Sequence, residues 1–337
     1  MNYEVTIGIP VYNVEKYIRL TMDSALAQTF PNIEFLILDD CGTDKSIDIV
    51  REYQQTHPRG RDIRIVSQPY NKGIGEARNR IVDEARGRFL YFMDADDTIA
   101  PHTIELLYSA AQKHDAELVY GSYERIETYG DEEKRIAYQY APMVFVDKYE
   151  FAMWVYQKYS NLQAMVWNVL IAVDIYHKNN LRHLPISYWE DFVFTIDLPV
   201  YVHRAVMLPD ITYFYYCREG SASKYQKRKY IEKREIESTI GGMRFLKSNS
   251  LGMIGKPFFS QRMSKVLMTC YFVAKHIVMN EGKIDPPFTS KEIRNVMRTP
   301  LTIFPFLRPS RCMIRNLFFY LLGEFPPSLT VWLIKKS

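Results

Sequence analysis

Residues 92–101 read FMDADDTIAP, an apolar run followed by Asp94, Asp96 and Asp97 within four positions. Carboxylates crowded at the end of a buried strand repel one another and are costly to desolvate unless something compensates. Solvent at a polar turn is one compensation, and capping of the helix that follows is another. A hard divalent cation, which takes oxygen ligands, is a third. Comparable clusters recur along the chain. Asp39-Asp40 ends the apolar run IEFLIL, NKGIGEARN carries Asn71, Gly73 and Arg78, and WEDF sets Glu190 and Asp191 between aromatics. Each also has a plainer reading: Asp40 as a turn residue, Arg78 as a solvated helix residue, the Glu190–Asp191 pair as surface. A carboxylate flanked by Trp189 and Phe192 is a candidate general base. The lone G-x-G at Gly73–Gly75 follows the third strand, and the first strand–helix turn has no glycines, so a dinucleotide-binding fingerprint is absent.

The elements that position these clusters follow an alternating strand and helix pattern. VTIGIPV (5–11) reads as a buried strand, after which Val14, Tyr17, Ile18, Met22, Ala25 and Leu26 share one helical face. IEFLIL (33–38) is a second strand, followed by a helix that Thr43 or Asp44 can cap. IRIVS (63–67) is a third, with a helix near 75–86 behind it. RFLYFM (88–93) is a fourth, Pro101 suits the first turn of the next helix, and AELVYGSYERI completes the series. Continuous apolar strands between amphipathic helices predict an α/β fold with a mainly parallel sheet covered on both faces. Ligands bind such sheets at the carboxyl ends of the strands. PVYN, DD, NKGIGEARN and DADD all fall there. Beyond Glu127 the polar ETYGDEEKR reads as an exposed loop. Residues 145–224 mix aromatic-rich helices with short strands, and the chain from about 225 reads as mostly helical between prolines. The expected domains are 1–224, with halves 1–127 and 128–224, and a helical region 225–337.

Composition is that of a globular protein, with 47% hydrophobic and 24% charged residues in a 337-residue chain that can bury a sizeable core. Four scattered cysteines, Cys41, Cys217, Cys270 and Cys312, argue against a disulfide framework or zinc site and suit a reducing cytosol. YEVTIGIPVYN is too polar and short for a signal peptide, and no run approaches the roughly 20 apolar residues of a membrane span. The net charge of +4 is uneven: residues 288–337 carry eight Lys/Arg against Glu292 and Glu324, a net +6. A basic tail rich in Phe, Leu and Trp points to an anionic surface, the inner membrane face, or else to a helical cap on the catalytic domain. A nucleic-acid partner is not expected.

Taken together, VTIGIPVYN, ILDDCGTDKS, NKGIGEARN, FMDADD and WED, in that order from about residue 4 to 223, resemble the inverting family 2 glycosyltransferases of bacterial polysaccharide synthesis. The resemblance implies the GT-A (Rossmann-like) fold and a UDP-sugar donor. By the same resemblance Pro10, Tyr12 and Asn13 line the nucleotide pocket, and Asp40 accepts a hydrogen bond from uracil. Asn71, Gly73 and Arg78 border the base and diphosphate. Asp94 lies near the ribose, and Asp96, with Asp94 beside it, holds Mn²⁺ or Mg²⁺. Asp191 is the catalytic base with Glu190 next to it, and REGSAS (218–223) closes over the diphosphate through Arg218. The implied acceptor is a hydroxyl of a glycan or lipid-linked glycan; the cysteines and the basic tail, not the resemblance, give the expected location, cytoplasmic, with peripheral attachment to the membrane face as one of the tail's two readings. Cys41 stands where the family more often has serine or glycine, and Val169 where lysine is common. A nucleotidyltransferase would carry a glycine-rich, lysine-bearing loop near the first strand, absent here. A glycoside hydrolase would need carboxylates flanking the bond but no nucleotide pocket. A catalytically silent sugar-nucleotide binder is the non-enzymatic alternative.

Overall fold

The computed structural model describes residues 3–129, 132–157, 162, 165–186, 189–218 and 230–337. The chain divides into two compact units. One comprises Met1–Phe151, Ala164–Pro185 and Val200–Tyr225, and the other Ala152–Gln163, Ile186–Pro199 and Gln226–Ser337.

In chain order the elements begin β1 (Tyr3–Val11), α1 (Ile18–Leu26), β2 (Ile33–Asp39), α2 (Ser46–Thr56), β3 (Ile63–Ser67), α3 (Ile74–Glu84) and β4 (Gly87–Phe92). They continue with β5 (Thr98–Ile99), α4 (Thr103–His114), β6 (Leu118–Tyr129), β7 (Glu132–Tyr138), β8 (Met143–Phe145) and α5 (Glu150–Gln157). Then come β9 (Val169–Ala172), α6 (Val173–Asn179), α7 (Glu190–Asp197) and β10 (Ala205–Cys217). The first unit is built on one sheet of order β3-β2-β1-β4-β9-β6-β10-β5, with β7 on β6 and β8 on β10. β1, β2, β3 and β4 pair in parallel, and β9 is antiparallel to both β4 and β6. β6 and β10 are parallel to each other. The six long strands β3, β2, β1, β4, β6 and β10 therefore run one way, so their carboxyl ends share an edge.

The causes are local. Val5, Ile7 and Ile9 of β1 are fully buried, each contributing about 1.5–3 kcal/mol. α1 buries Ile18, Met22, Ala25 and Leu26 against the same core. Gly8 is required by packing, because a Cβ there would sit 2.4 Å from the Ile81 side chain of α3. Strand order reverses at β1, whose two neighbours are β2 and β4, the switch point at whose carboxyl edge open sheets of this kind bind ligands.

Two sequence expectations need correction. ETYGDEEKR is not an exposed loop: β6 runs to Tyr129 and returns as β7, paired antiparallel from Tyr123↔Tyr138 to Tyr129↔Glu132. Its polar residues concealed the strand, because the pairing is supported by an Arg135–Glu124 ion pair at 3.0 Å and by stacked Tyr123 and Tyr138 rings, 4.8 Å apart. Pro101 lies in a turn just before α4 rather than in its first turn.

The C-terminal part of the second unit is helical: α8 (Lys233–Asn249), α9 (Phe259–Met279), α10 (Ser290–Met297), α11 (Met313–Glu324) and α12 (Pro327–Lys336). α10 starts on a capping box, with Glu292 accepting the Thr289 N–H at 2.7 Å. The tail is partly core, since Phe306, Phe319, Leu322 and Ile334 are buried. It also presents apolar surface. Ile314, Phe318 and Leu321 of α11 are exposed at 79%, 47% and 39%, a spacing that sets them on one face of the helix. Among the described residues no helix is long and apolar enough to cross a membrane.

Candidate active site

The carboxyl edge gathers most of the residues singled out in the sequence. Pro10 is the penultimate residue of β1 and pairs with Leu38, while Tyr12 just beyond is 49% exposed. Asn13 takes a left-handed backbone, φ 53°, which an asparagine tolerates. Its Oδ1 accepts the Thr43 N–H at 2.7 Å, tying the first loop to the second.

Asp40 is 3% exposed and organises the neighbouring loop. Its Oδ1 accepts from Gln68 Nε2 at 2.8 Å and from the Lys72 N–H at 2.9 Å, and its Oδ2 accepts from the Gly73 N–H at 3.0 Å. A carboxylate has about four acceptor positions, so one more donor can be received. Gly73 has φ 83°, a conformation natural to glycine, and precedes α3. Asn71 is exposed on the same loop. Arg78, one turn into α3, is buried, with Nη2 3.4 Å from Asp94 Oδ1.

The three aspartates after β4 separate into different environments. Asp97 is 1% exposed; its Oδ2 accepts from the Tyr213 hydroxyl at 2.8 Å and its Oδ1 from the Tyr216 N–H at 2.9 Å. The same Tyr213 hydroxyl accepts the Asp94 N–H at 3.1 Å, and the Tyr213 ring stacks on Trp167 at 4.2 Å. Asp97 is thus a bracket between the turn and β10. Asp94 and Asp96 remain partly exposed. Burial first, and the Asp94 charge second, push Asp96 up to about 6, with Arg218 pulling it back. Arg218, directly after β10, lies 3.3 Å from Asp96 Oδ2 and also donates to the Asp96 carbonyl. Its guanidinium sits 4.0 Å from the Tyr17 ring centroid and 4.8 Å from that of Tyr216. The remainder of REGSAS, residues 219–223, lies outside the described residues.

This donor set can accept a hard cation in part. Asp94 and Asp96 offer carboxylate oxygens, and burial with the Asp94 charge raises the proton affinity of Asp96, so that a nearby cation would favour its ionised form. Among the described residues no cluster of three or more His, Cys, Asp or Glu could hold a metal. The pair fits an ion that brings further oxygen ligands with it, as a metal–diphosphate does.

Glu190 and Asp191 occupy the first turn of α7, in the second unit. Glu190 is buried and Asp191 half-buried, with Oδ1 accepting the Phe192 N–H at 2.6 Å.

Residues 6–176, just over half of the chain, match Glycosyl transferase family 2. The chain belongs to that family. Among glycosyltransferases, GlyA of Streptococcus pneumoniae serotype 4 is 35% identical over 120 residues, 36% of this chain and 17% of that one. WfgD of Escherichia coli, a UDP-Glc:alpha-D-GlcNAc-diphosphoundecaprenol beta-1,3-glucosyltransferase, is 34% identical over 125 residues, 37% of this chain and 47% of its own. The chain spans less than two thirds of the length of these curated relatives. Residues 1–349 of Staphylococcus aureus TarS, in complex with UDP-GlcNAc, superpose with TM-score 0.61 at 17% identity, covering 95% of this chain and 90% of that one. A Pyrobaculum calidifontis mannosyltransferase in complex with GDP-Man and Mn²⁺ gives 0.55 at 13% identity, covering 99% and 87%. The fold is the GT-A fold of family 2 with a helical C-terminal region.

Inspection of the motifs missed Gln68, Tyr213 and Asn168. Asn168 is buried and bonds Tyr91, Thr212, Gly121 and Ser122, joining β4, β6 and β10 across the sheet. It precedes Val169, and only a single polar residue inside WNVLI hinted at it.

The split between Asp97 and Asp96 is testable by urea unfolding. Tyr213→Phe strips a donor from buried Asp97 and is expected to cost about 1.5–3 kcal/mol. Asp96→Asn removes one partly exposed ion pair and a repulsion, and should change stability by less than about 1 kcal/mol. The reverse order would show that Asp96 is the bracket.

Proposed function

We propose that this family 2 chain transfers a sugar from a UDP-sugar to a hydroxyl of a glycan or lipid-linked glycan, inverting the anomeric centre. The observation that carries the reading is the shared edge on which Asp40 keeps an acceptor position beside the Gly73 amide, while Asp94 and Asp96 face outward with Arg218. A carboxylate acceptor at Asp40 suits the imide N–H of uracil. Pro10, Tyr12 and Asn13 would line the nucleotide pocket, and Asn71, Gly73 and Arg78 would border the base and diphosphate. The loop after β1 reads PVYN, with no glycine-rich, lysine-bearing segment, which disfavours nucleotidyl transfer. WfgD's name, with its UDP-Glc donor and diphosphoundecaprenol-linked acceptor, supports the donor and acceptor classes. The mannosyltransferase complex with Mn²⁺ supports a divalent ion.

Asp96, with Asp94, would hold Mn²⁺ or Mg²⁺, which when bound supplies Lewis-acid neutralisation of the leaving diphosphate. Arg218, pinned between Tyr17 and Tyr216, places a permanent cation at the same carboxylate and can donate to phosphate oxygens. The acceptor oxygen forms its bond to the anomeric carbon as the bond to the UDP phosphate oxygen breaks, and the electron pair departs with UDP. Asp191, in the first turn of α7 with Glu190 beside it, takes the acceptor's proton. A cytoplasmic setting fits the free cysteines and the nucleotide-sugar donor.

Mass spectrometry of products from a panel of UDP-sugars, with and without EDTA, tests the reading. Transfer or slow donor hydrolysis is expected with one UDP-sugar, abolished by EDTA and restored by Mn²⁺ or Mg²⁺. Asp191→Asn should lower turnover by about 10²–10⁴ and leave UDP binding intact. No reaction with any donor would leave a silent binder, and near-normal turnover in the variant would remove the base assignment.

The exposed face of α11 supports peripheral attachment to an anionic membrane. Ile314, Phe318 and Leu321 can enter the interface while Arg308, Arg311 and Arg315 meet lipid phosphates, each near the surface contributing about 1 kcal/mol. Truncation before α10 would remove the buried core residues Ile293, Val296 and Leu322, so point variants are the proper probe. Full-length chain should sediment with phosphatidylglycerol vesicles, less at high salt and less as Ile314→Ser/Phe318→Ser. Equal sedimentation of variant and parent would contradict the attachment.

A further inference from the structure

A cavity of about 490 Å³ in the second unit is lined by Arg244, Lys247, Ser248, Asn295, Arg298 and Thr299, together with Pro300. Its lining has three cations and no carboxylate. Arg244 and Lys247 lie one turn apart on α8, and Arg298 directly follows α10. Like charges brought together at one pocket are unfavourable unless a counter-charge arrives.

Lys247 is 2% exposed, and its ammonium donates to the Val296 carbonyl at 2.9 Å and the Arg298 carbonyl at 2.6 Å. Burial first, and the charge of Arg244 in opposition to the favourable effect of Cys270, hold its proton affinity below the usual lysine value. Those two bonds cap the carboxyl end of α10, a structural duty that accounts for Lys247. Neither bond involves the guanidinium of Arg244 or Arg298. Among the described residues Arg244 has no acidic partner. Arg298 is 57% exposed at its side chain, and its carboxylate neighbour Glu324 stands 3.7 Å away, beyond hydrogen-bond range.

We propose that this cavity is a binding site for the phosphoryl group of an anionic ligand, separate from the nucleotide edge. Two guanidinium groups supply planar paired donors of the kind that match phosphate oxygens. Lys247 keeps a third N–H beyond the two given to carbonyls, and the Ser248 and Thr299 hydroxyls and the Asn295 amide add neutral donors. The cavity has room for a phosphoryl group and part of what bears it. A lipid headgroup and a free phosphate share this chemistry. The proposal rests on the lining alone and stands whether or not the chain transfers sugar from UDP.

The test is calorimetric titration of the full chain with inorganic phosphate, at constant ionic strength and without divalent ions, for the parent and for Arg244→Gln/Arg298→Gln. Phosphate affinity should fall at least about tenfold in the variant, with UDP affinity unchanged. A second arm uses phosphatidylcholine vesicles with and without phosphatidic acid. Loss of phosphatidic-acid-dependent sedimentation in the variant, with displacement of the parent by inorganic phosphate, assigns the ligand to a lipid headgroup. A loss confined to free phosphate assigns a soluble anion. Should the double variant fail to fold, Arg244→Gln alone, at an exposed position without an acidic partner, carries the same comparison with a smaller fall. Phosphate and vesicle binding equal in parent and variant, or absent from both, would overturn the site.

Discussion

Two buried carboxylates, Asp40 and Asp97, govern the arrangement of the first unit's carboxyl edge. A desolvated carboxylate is tolerated only where donors converge on it, and here the donors come from remote parts of the chain. Asp40 draws in Gln68, Lys72 and Gly73 from the loop before α3. Asp97 draws in Tyr213 and Tyr216 from β10, more than a hundred residues away. Satisfying these two buried groups therefore fixes the loops after β2, β3 and β4 and the end of β10 against one another.

The residues proposed to meet the donor occupy what that bracing leaves open. Asp97 takes the buried position of this turn, while Asp94, 3.4 Å from the Arg78 guanidinium, and Asp96 remain partly exposed. Arg218, clamped by Tyr17 and Tyr216, lies 3.3 Å from Asp96 Oδ2. An arginine cannot lose its proton at ordinary pH, so this end of the site keeps one positive group irrespective of metal. A metal–diphosphate entering the edge would share Asp96 with that guanidinium, which can then turn its remaining donors to phosphate.

The strands and the polar ends of β1 to β4 were legible because apolar runs of strand length alternate with helical periodicity, and because parallel strands must place equivalent ends together. Asp96 and Asp40 stood out as charges following such runs. The division of labour among Asp94, Asp96 and Asp97 was not legible, since it is decided by Tyr213 and Tyr216, which in TYFYYC read only as strand aromatics. Asn168 was hidden for the same reason: its partners lie 44 to 77 residues away. The β6–β7 hairpin escaped notice because its pairing uses ion pairs and tyrosines in place of an apolar alternation. The distribution of tail residues between core and surface likewise depends on how α9 to α12 pack, not on their composition.

The central claim is that the turn after β4 holds a divalent cation through Asp96 when a nucleoside diphosphate is bound. Crystals grown with Mn²⁺ and UDP, measured for anomalous scattering, address it directly. The account predicts a manganese peak within about 2.0–2.3 Å of an Asp96 carboxylate oxygen and of diphosphate oxygens, with uracil beside Asp40. UDP bound at this edge with no manganese at Asp96, or with Arg218 still occupying that carboxylate alone, would contradict it.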